Sequence, residues 1–468
     1  MTERSHAVGL STDLYQMTMG ASFHALDVND IATFSLFVRR LPPQRGYLVA
    51  AGLDDALDRL LNLQFDQRAL DYLRSTGQVR PEFISSLANF RFTGDVWAVP
   101  EGRIVFADEP LLEVQAPIIE AQIAETILLN AVHYATLVAS KAARCVSAAP
   151  GKSLIEFGLR RTPSVDAGLA AARSSFIAGF AGTSNLFAGE QFDIPVSGTV
   201  AHSFIEIFPN ELDAFRAFSD TFPGDVTLLI DTYDVLQGAR NAAIVAKELR
   251  AKGRRVRAVR IDSGDLVDLS KRVRSILDAE GLTDVGILAS GGLDELDLQR
   301  FVDGGAPIDA YGIGTRLGTS ADAPSLDMVY KLVEFAELPK LKLSTGKATL
   351  VGPKQVWRRV GLDGAFVSDL IARRTEPAPG TEWEPLLEPF MEAGRRTRRD
   401  DLRENQRRHQ SDTSKMPPGT FNLANFERFP VELSFGLQEA QREATERARL
   451  QEDRSVVNAS QATDAPKR

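Results

Sequence analysis

The chain has 468 residues, which is longer than one ordinary domain and predicts two or three domains. Hydrophobic residues make up 44% of the chain and charged residues 25%, as in soluble globular proteins, and the net charge of −9 argues against nucleic acid as a partner. The single cysteine, Cys145, excludes an internal disulfide and a cysteine-based zinc site, and the lack of a signal-peptide core or of an apolar run of about 18 residues predicts a cytoplasmic protein with no membrane partner.

Residues 1–148 predict a mixed α+β domain. Apolar residues recur at helical spacing in some stretches, while other stretches are rich in β-forming residues and are separated by proline and glycine. The expected helices are 12–26, 49–61, 67–75 and 118–148, and the expected strands are 31–38, 94–99, 104–106 and 111–114.

Residues 149–338 show short apolar runs that alternate with helical segments such as 234–251 and 266–279. The expected strands are 154–157, 195–200, 226–230, 256–261, 286–289 and 308–313. Continuous apolar strands with helices between them predict a parallel sheet covered by helices. Six such units favour a closed or nearly closed α/β barrel, with a doubly wound open sheet as the alternative, because periodicity does not separate the two.

Residues 339–457 form a third region. Residues 395–415 are dense in charge and poor in apolar residues, which predicts a solvated helix or a mobile segment. The stretch 432–450 predicts a closing helix. Residues 458–468 lack core-forming residues and predict a disordered tail.

Polar motifs follow the predicted barrel strands. They are residues 156–161, His202, and residues 231–234, 260–265, 290–292 and 312–316. Each motif alone is equally well explained as a helix cap, a turn or a strand exit. A barrel, however, brings the carboxyl ends of its strands to one rim, so together they predict a common cavity.

The residue types in these motifs suit a sugar phosphate. Backbone N–H groups and hydroxyls can bind phosphate oxygens, and arginines can pair with phosphate or carboxylate. The candidate ligands are Ser290, Gly291, Gly314, Thr315, Arg160 and Arg260. Asp262 and Asp265 can hold ribose hydroxyls or a divalent metal.

His202 is the candidate for covalent chemistry. Imidazole can act as nucleophile, acid or base near neutral pH, and Asp231 is available to fix its tautomer. The competing interpretation is a histidine at a helix start that is satisfied by a backbone carbonyl.

With these motifs the chain resembles the nicotinate phosphoribosyltransferase family. The motifs that carry the resemblance are Thr12-Asp-Leu-Tyr15, Glu156-Phe-Gly-Leu-Arg-Arg161, Gly198-Thr-Val-Ala-His-Ser203, Ile261-Asp-Ser-Gly-Asp265 and Tyr311-Gly-Ile-Gly-Thr315. The resemblance implies an irregular α/β barrel of the type II phosphoribosyltransferase kind, joined to a mixed α+β domain built from both chain ends. It also implies a homodimer with shared active sites.

The resemblance assigns roles to particular residues. His202 matches a histidine that ATP phosphorylates, and Tyr15 resembles a tyrosine that reaches across the dimer to stack on the pyridine ring. The other implied substrate ligands are Phe157, Leu159 and Arg160 beside the base, Thr199 and Arg260 near nicotinate or its ribosyl partner, Asp262 and Ser263 at ribose and pyrophosphate, and Ser290, Gly291, Gly314 and Thr315 at the 5′-phosphate. We assign Mg²⁺ to Asp262 and Asp265.

The implied reaction converts nicotinate and phosphoribosyl pyrophosphate to nicotinate mononucleotide and pyrophosphate in NAD salvage, coupled to ATP hydrolysis through a phosphohistidine. One alternative is a nicotinamide phosphoribosyltransferase, but Ser184 stands where the resemblance places an aspartate of nicotinamide-using relatives. A catalytically silent binding protein on the same fold is a second alternative, against which His202, Asp231 and Asp262 argue. A quinolinate phosphoribosyltransferase is a weaker third, because that family lacks the phosphorylated histidine.

Overall fold

The computed structural model describes residues 9–343 and 349–463, with side chains described as far as residue 450. The helices are α1 Leu14–Ala25, α2 Leu53–Leu61, α3 Gln67–Thr76, α4 Pro81–Ser86, α5 Ile118–Ala148, α6 Val165–Ile177, α7 Leu186–Phe192, α8 His202–Glu206, α9 Glu211–Thr221, α10 Val235–Ala251, α11 Leu266–Ala279, α12 Glu295–Asp303, α13 Thr315–Gly318, α14 Leu402–Lys415 and α15 Phe435–Thr463. The strands are β1 Ile31–Val38, β2 Leu48–Val49, β3 Asp95–Ala98, β4 Ile104–Val105, β5 Pro110–Pro117, β6 Ser153–Glu156, β7 Gly182–Thr183, β8 Val226–Leu229, β9 Val256–Ile261, β10 Gly286–Ala289, β11 Ala310–Ile313, β12 Met328–Phe335, β13 Leu338–Pro339, β14 Lys354–Val360, β15 Phe366–Arg373, β16 Trp383–Pro385, β17 Glu388–Glu392, β18 Arg395–Arg396 and β19 Val431–Leu433.

The chain divides into two compact units. The mixed unit comprises Met1–His133, Leu326–Thr420 and Phe426–Arg468, and the barrel unit comprises Tyr134–Ser325 and Phe421–Asn425. The mixed unit is therefore built from both chain ends, as the family resemblance implies. Helix α15 continues to Thr463, into the segment predicted as a disordered tail, because its glutamines, glutamates and alanines are good helix formers. Residues 464–468 lie outside the described part of the chain.

The mixed unit is organised around a seven-stranded antiparallel sheet with the order β13-β12-β1-β5-β3-β17-β18. Strand β1 lies in its interior, between β12 and β5, and every residue of β1 after Ile31 is buried. Its nearly continuous apolar run, which predicted a strand at 31–38, follows from burial on both faces. A four-stranded sheet, β16-β14-β15-β19, and the pair β2-β4 complete the unit.

Helix α14 corrects the expectation for residues 395–415. It is a helix, but one side of it is buried, at Asn405, His409 and Asp412. Asp412 lies 3.4 Å from a guanidinium nitrogen of the buried Arg358, which also pairs with Asp369 at 2.6 Å. The helix packs through paired polar groups rather than through apolar side chains, so its composition predicted exposure wrongly.

The barrel unit contains a six-stranded sheet with the order β7-β6-β11-β10-β9-β8, in which every pairing is parallel. The predicted barrel is therefore confirmed as a curled half-barrel, since β7 and β8 do not pair among the described strands. The predicted strands 256–261 and 286–289 coincide with β9 and β10.

The predicted strand at 195–200 was wrong. The second strand of the unit is β7, a Gly-Thr pair without an apolar run, and the later segment contributes only a single bridge between Val196 and Thr183. Pro195 lacks a backbone N–H, and Val196 is 54% exposed, so this segment cannot form an interior strand.

Helix α5 is the one helix of the described residues that is long and apolar enough to cross a membrane. However, 67% of the 18-residue apolar stretch of this helix is buried inside the protein, as in the core helix of a globular fold.

Candidate active site

The predicted site residues of the barrel unit gather at the carboxyl ends of its parallel strands. Strands β6, β7, β8, β9, β10 and β11 are followed respectively by Phe157, Ser184, Asp231, Asp262, Ser290 and Gly314. Parallel pairing places all six exits at the same edge of the sheet. Thr199 and His202 lie on the connection between β7 and β8, and His202 opens α8.

Arg260, on β9, is the centre of a hydrogen-bonded network. Its guanidinium donates to the hydroxyl of Thr199 at 2.9 Å, to the hydroxyl of Ser290 at 2.8 Å and to a carboxylate oxygen of Asp262 at 2.5 Å. The side chain of Arg260 is only 13% exposed. The network joins two strand exits and the β7–β8 connection, and it fixes one cation in a largely buried position.

Asp262 is held ionised by this network. Burial alone would raise the pKa of its carboxyl, but the hydrogen bond from Ser290 and the charge of Arg260 outweigh burial and lower it. The Ser290 hydroxyl donates to Asp262 at 2.5 Å. Asp262 therefore presents a carboxylate at the rim, which suits hydrogen bonding to sugar hydroxyls.

His202 is oriented by a neighbour that the sequence did not single out. Its Nδ1 lies 3.1 Å from the hydroxyl oxygen of Thr232, while its Nε2 lies 4.0 Å from Oδ1 of Asp231. The first distance is a hydrogen bond, whereas the second is too long for one. Thr232 thus orients the ring, although its hydroxyl, which can donate or accept, does not select the tautomer, and Asp231 faces the other ring nitrogen.

Asp231 uses only one of its two carboxylate oxygens. Oδ2 accepts the backbone N–H of Asp262 at 3.0 Å and the hydroxyl of Ser263 at 2.7 Å. Oδ1 is buried and has no hydrogen-bond partner among the described residues. A buried carboxylate oxygen without a partner is costly, so its presence beside His202 points to a functional role.

Glu156 ties two strand exits together. Its carboxylate accepts the hydroxyl of Thr183 at 2.5 Å and the backbone N–H of Gly158, and its backbone carbonyl accepts the N–H of Ser184 at 2.9 Å. Burial raises the pKa of the Glu156 carboxyl. The loop after β6 and the predicted specificity residue Ser184 are therefore both fixed to one buried residue, the first by its side chain and the second by its backbone.

Three glycines stand where there is no room for a side chain: Gly291 in the loop after β10, Gly312 within β11 and Gly314 in the loop after β11. A Cβ at Gly291, where φ is +105°, would lie 1.9 Å from the carbonyl oxygen of Asp262. A Cβ at Gly312 would lie 2.4 Å from the ring of Phe157, and one at Gly314 would lie 2.8 Å from the Phe157 carbonyl oxygen. These close approaches fix the course of both loops.

Leu159 and Arg160 follow Phe157 in a short 3₁₀ turn, and the Arg160 side chain is exposed with no ion pair among the described residues. Thr315 is also exposed and begins α13. Tyr15 belongs to the mixed unit, where it is 46% exposed. Its predicted role across a dimer stays a prediction.

The side chains at the rim could supply only part of the coordination shell of a magnesium ion. Among the described residues, no three His, Cys, Asp or Glu side chains are grouped so that they could hold a metal ion. Oδ1 of Asp265 instead caps α11, accepting the N–H of Val267 at 3.1 Å. Because Mg²⁺ commonly binds one or two carboxylates and completes its shell with water and substrate phosphates, the residues fit an ion held jointly with substrate.

The sequence assigned no individual role to three residues of this arrangement, namely Thr232, Thr183 and Glu156. Thr232 follows Asp231 directly in Asp231-Thr-Tyr-Asp234, and Glu156 opens a motif already noted, so both had a positional signal. Thr183 had no such signal, because the two-residue strand β7 contains no apolar run.

Comparison with known proteins gives consistent results along the chain. A family model described as the nicotinate phosphoribosyltransferase N-terminal domain matches residues 10–133, and one for the nicotinate phosphoribosyltransferase family matches residues 152–336. A nicotinate phosphoribosyltransferase of Mycobacterium tuberculosis is 47% identical over 400 residues, covering 85% of each chain. One from Bacillus subtilis is 42% identical over 365 residues, covering 76% of this chain and 74% of the relative.

Solved structures show the same relationship. The crystal structure of human nicotinic acid phosphoribosyltransferase matches with a TM-score of 0.83 and 31% identity, covering 92% of this chain and 99% of the human chain. The nicotinate-nucleotide pyrophosphorylase of Pyrococcus furiosus matches with a TM-score of 0.72 and 24% identity, which shows the fold alone. On the family models, the bacterial relatives and the human structure together, the chain belongs to the nicotinate phosphoribosyltransferase family.

Proposed function

We propose that this protein transfers the phosphoribosyl group of phosphoribosyl pyrophosphate to nicotinate in NAD salvage, and that ATP drives the reaction through phosphorylation of His202. The observation that carries the proposal is the arrangement at one rim of His202, the unpartnered Oδ1 of Asp231, and the Arg260–Asp262–Ser290 network. It combines a candidate phosphoryl acceptor with groups that suit a sugar phosphate.

In the transfer step, the ring nitrogen of nicotinate attacks the anomeric carbon of phosphoribosyl pyrophosphate. The C–N bond forms as the C–O bond to pyrophosphate breaks, and pyrophosphate leaves with the electron pair. The ribosyl group carries positive charge in the transition state, so a fixed carboxylate such as Asp262 would stabilise it and hydrogen-bond to ribose. The rest of the site acts mainly by positioning the two reactants.

In the coupled step, an imidazole nitrogen of His202 attacks the γ-phosphorus of ATP and ADP leaves. Water later hydrolyses the phosphohistidine, which releases phosphate and restores His202. The Thr232 hydroxyl holds the ring in one orientation for this attack. A phosphorylated ring would add negative charge beside Asp231, which favours tighter binding of cations or of a reorganised loop at the rim.

Magnesium would be held by Asp262 and Asp265 together with substrate oxygens. When bound, the ion would neutralise the pyrophosphate leaving group.

Nicotinate is proposed over nicotinamide because Ser184, fixed to Glu156 at the exit of β7, brings no negative charge to the loop. Arg160 and Arg260 supply positive charge for the substrate carboxylate and phosphates. We further propose a cytoplasmic homodimer in which Tyr15 of one subunit stacks on the base bound to the other.

The test measures pyrophosphate release with nicotinate, with nicotinamide and without base, alongside incorporation of label from γ-labelled ATP. Nicotinate-dependent release and label that is lost in His202→Ala are expected. His24→Gln, which changes a histidine of the mixed unit, serves as the control. Full label on His202→Ala would overturn the phosphohistidine, and no base-dependent release from the unmodified chain would overturn the transferase.

A further inference from the structure

Arg316 connects the two glycine-containing loops of the barrel unit. It follows Gly314 and Thr315 directly, and its Nη1 lies 2.7 Å from Oδ2 of Asp294 and 3.3 Å from Oδ2 of Asp297. Both carboxylates belong to the start of α12, just after the loop that leaves β10. One side chain from the β11 exit therefore reaches the far end of the β10 exit.

Asp294 pairs with Arg316 and caps α12 at the same time. Its Oδ1 caps α12 by accepting the N–H groups of Leu296 at 3.1 Å and Asp297 at 3.3 Å, which leaves Oδ2 for Arg316. The side chain is only 13% exposed. Burial alone would raise the pKa of Asp294, but the hydrogen bond from Arg316 and the charge of Lys141 lower it, so the carboxylate is charged where it meets the arginine.

Between their fixed ends, the two loops have backbone N–H groups that are available to a ligand. Four of their backbone N–H groups have no acceptor within the described part of the chain, and these belong to Gly291, Gly292, Gly314 and Thr315. At one end, the parallel pairing of Ala289 with Tyr311 sets the separation of the loops. At the other end, Arg316 joins them directly, and the buried Lys141 of α5 also links Glu295, the first residue of α12, to Asp322, just after α13.

We propose that Arg316 is a positioning residue that holds these loops at the separation needed to bind the 5′-phosphate of phosphoribosyl pyrophosphate. The inference rests on the proposed function, in which these loops form the phosphate site. Arg316 acts through Asp294 and does not itself contact the ligand. Its loss removes the direct tie next to the loops and leaves only the more distant Lys141 pairs, so phosphate binding weakens while the chemistry at the anomeric carbon is unchanged.

Three single variants test the proposal by steady-state kinetics. Arg316→Ala removes the contact, and Asp294→Asn removes its charge while keeping an oxygen to cap α12, since asparagine is a good N-cap. Arg300→Ala is the matched control, because Arg300 also pairs with Asp297, at 3.3 Å, but within one helix. The first two variants should raise KM for phosphoribosyl pyrophosphate about two- to fivefold, as expected for a partly exposed ion pair, with kcat and KM for nicotinate unchanged.

The double variant of Arg316→Ala and Asp294→Asn should be no worse than either single variant, because both remove one contact. Arg316→Lys should restore part of the affinity, and Arg300→Ala should behave as the unmodified chain. A raised KM in Arg316→Ala with a normal Asp294→Asn would show direct contact with the ligand and overturn the proposal, as would additive effects or unchanged KM in both. If the unmodified chain releases no pyrophosphate with nicotinate, the proposed function fails instead.

Discussion

The carboxylate oxygen Oδ1 of Asp231 lies 4.0 Å from Nε2 of His202, and the Asp231 side chain is completely buried while that of His202 is 40% exposed. The carboxylate is thus held through Oδ2 by the Asp262 N–H and the Ser263 hydroxyl, while part of the imidazole ring is exposed to solvent. The proposed phosphorylation of His202 would need this combination, since the ring must be accessible to ATP yet held by fixed groups.

The hydroxyl of Thr232 should affect the rate at which His202 is phosphorylated. Thr232→Val keeps the shape of the side chain but removes the hydrogen bond to Nδ1, so the ring loses its orientation. Formation of the phosphoenzyme should slow about two- to tenfold, the kinetic equivalent of one hydrogen bond of about 0.5–1.5 kcal/mol. Rapid-quench labelling measures this rate, and Thr232→Ser is the control that keeps the hydroxyl. Equal rates in the valine and serine variants would contradict the assignment.

Gly291 should not tolerate a methyl group, whereas Gly292 should tolerate one better. Both have positive φ, +105° and +71°, but a Cβ at Gly291 meets the Asp262 carbonyl and one at Gly292 meets no atom within 4 Å. Gly292→Ala should lower the free energy of unfolding by about 1–2 kcal/mol, from backbone strain alone. Gly291→Ala should lose more stability and more affinity for phosphoribosyl pyrophosphate. Denaturant unfolding and KM measurements compare the pair, and equal effects would show that the close approach to Asp262 does not matter.

Ser184 should influence the choice between acid and amide. Ser184→Asp places a negative charge at the exit of β7, where the residue is fixed by the Glu156 carbonyl. The ratio of kcat/KM for nicotinate to that for nicotinamide should fall about tenfold or more, because like charges a few Å apart near a protein surface repel by on the order of 1–4 kcal/mol. Ser184→Asn adds a similar volume without charge and should change the ratio little. If both variants shift the ratio equally, size rather than charge is responsible.

His409 should make the protein less stable in mild acid. Burial lowers the pKa of its imidazole below the ordinary value of 6.5, although the hydrogen bond between Nδ1 and the Gly102 carbonyl opposes this. As pH falls below 6.5, the unfolded chain takes up a proton that the folded chain does not, so stability falls by up to about 1.4 kcal/mol per pH unit until the folded pKa is reached. His409→Gln should have a smaller difference in unfolding free energy between pH 7.5 and pH 5.5. An equal pH dependence in both proteins would assign the effect to other groups.

Tyr15 should act in the active site of the partner subunit. Mixing inactive Tyr15→Ala chains with inactive His202→Ala chains should restore activity, because one site of each mixed dimer then carries neither substitution. A stacked aromatic ring contributes about 0.5–1.5 kcal/mol beyond its buried area, so Tyr15→Phe, which keeps the ring, should remain active. Continued inactivity after verified subunit exchange would place both residues in the same subunit's site.

Strands with a continuous apolar run could be predicted from the sequence. Strands β9 and β10 match their predicted bounds because both are interior strands of a parallel sheet with buried apolar residues. These buried residues are Val256, Val259, Ile261, Ile287, Leu288 and Ala289. The segment 195–200 was wrongly predicted as a strand because the valines of a loop give the same apolar pattern as a strand. The strand that is present, β7, consists only of Gly182 and Thr183 and has no apolar run. Burial by paired polar groups, as at Asp412 on α14, also leaves no apolar signal.

The members of the candidate site were predictable, but their connections were not. Strand exits indicated Arg260, Asp262 and Ser290 separately, and the structure joins them in one network. That joining depends on which strands are neighbours, since β9 pairs with β10 although the helix α11 separates them in sequence. The contact between Thr232 and His202 likewise depends on where α8 begins relative to β8, which residue spacing does not determine.

The position of β1 in the mixed unit has a consequence for biosynthesis. Its neighbour β12 is made nearly 300 residues later, so the growing chain carries β1 with one unpaired edge while the whole barrel unit is being translated. An unpaired apolar strand is a template for association with other chains. A fragment that ends before residue 328 would therefore expose this edge permanently and should aggregate, even though it contains every strand of the half-barrel. Completion of the mixed unit is thus a late event in synthesis, and truncated products cannot achieve it.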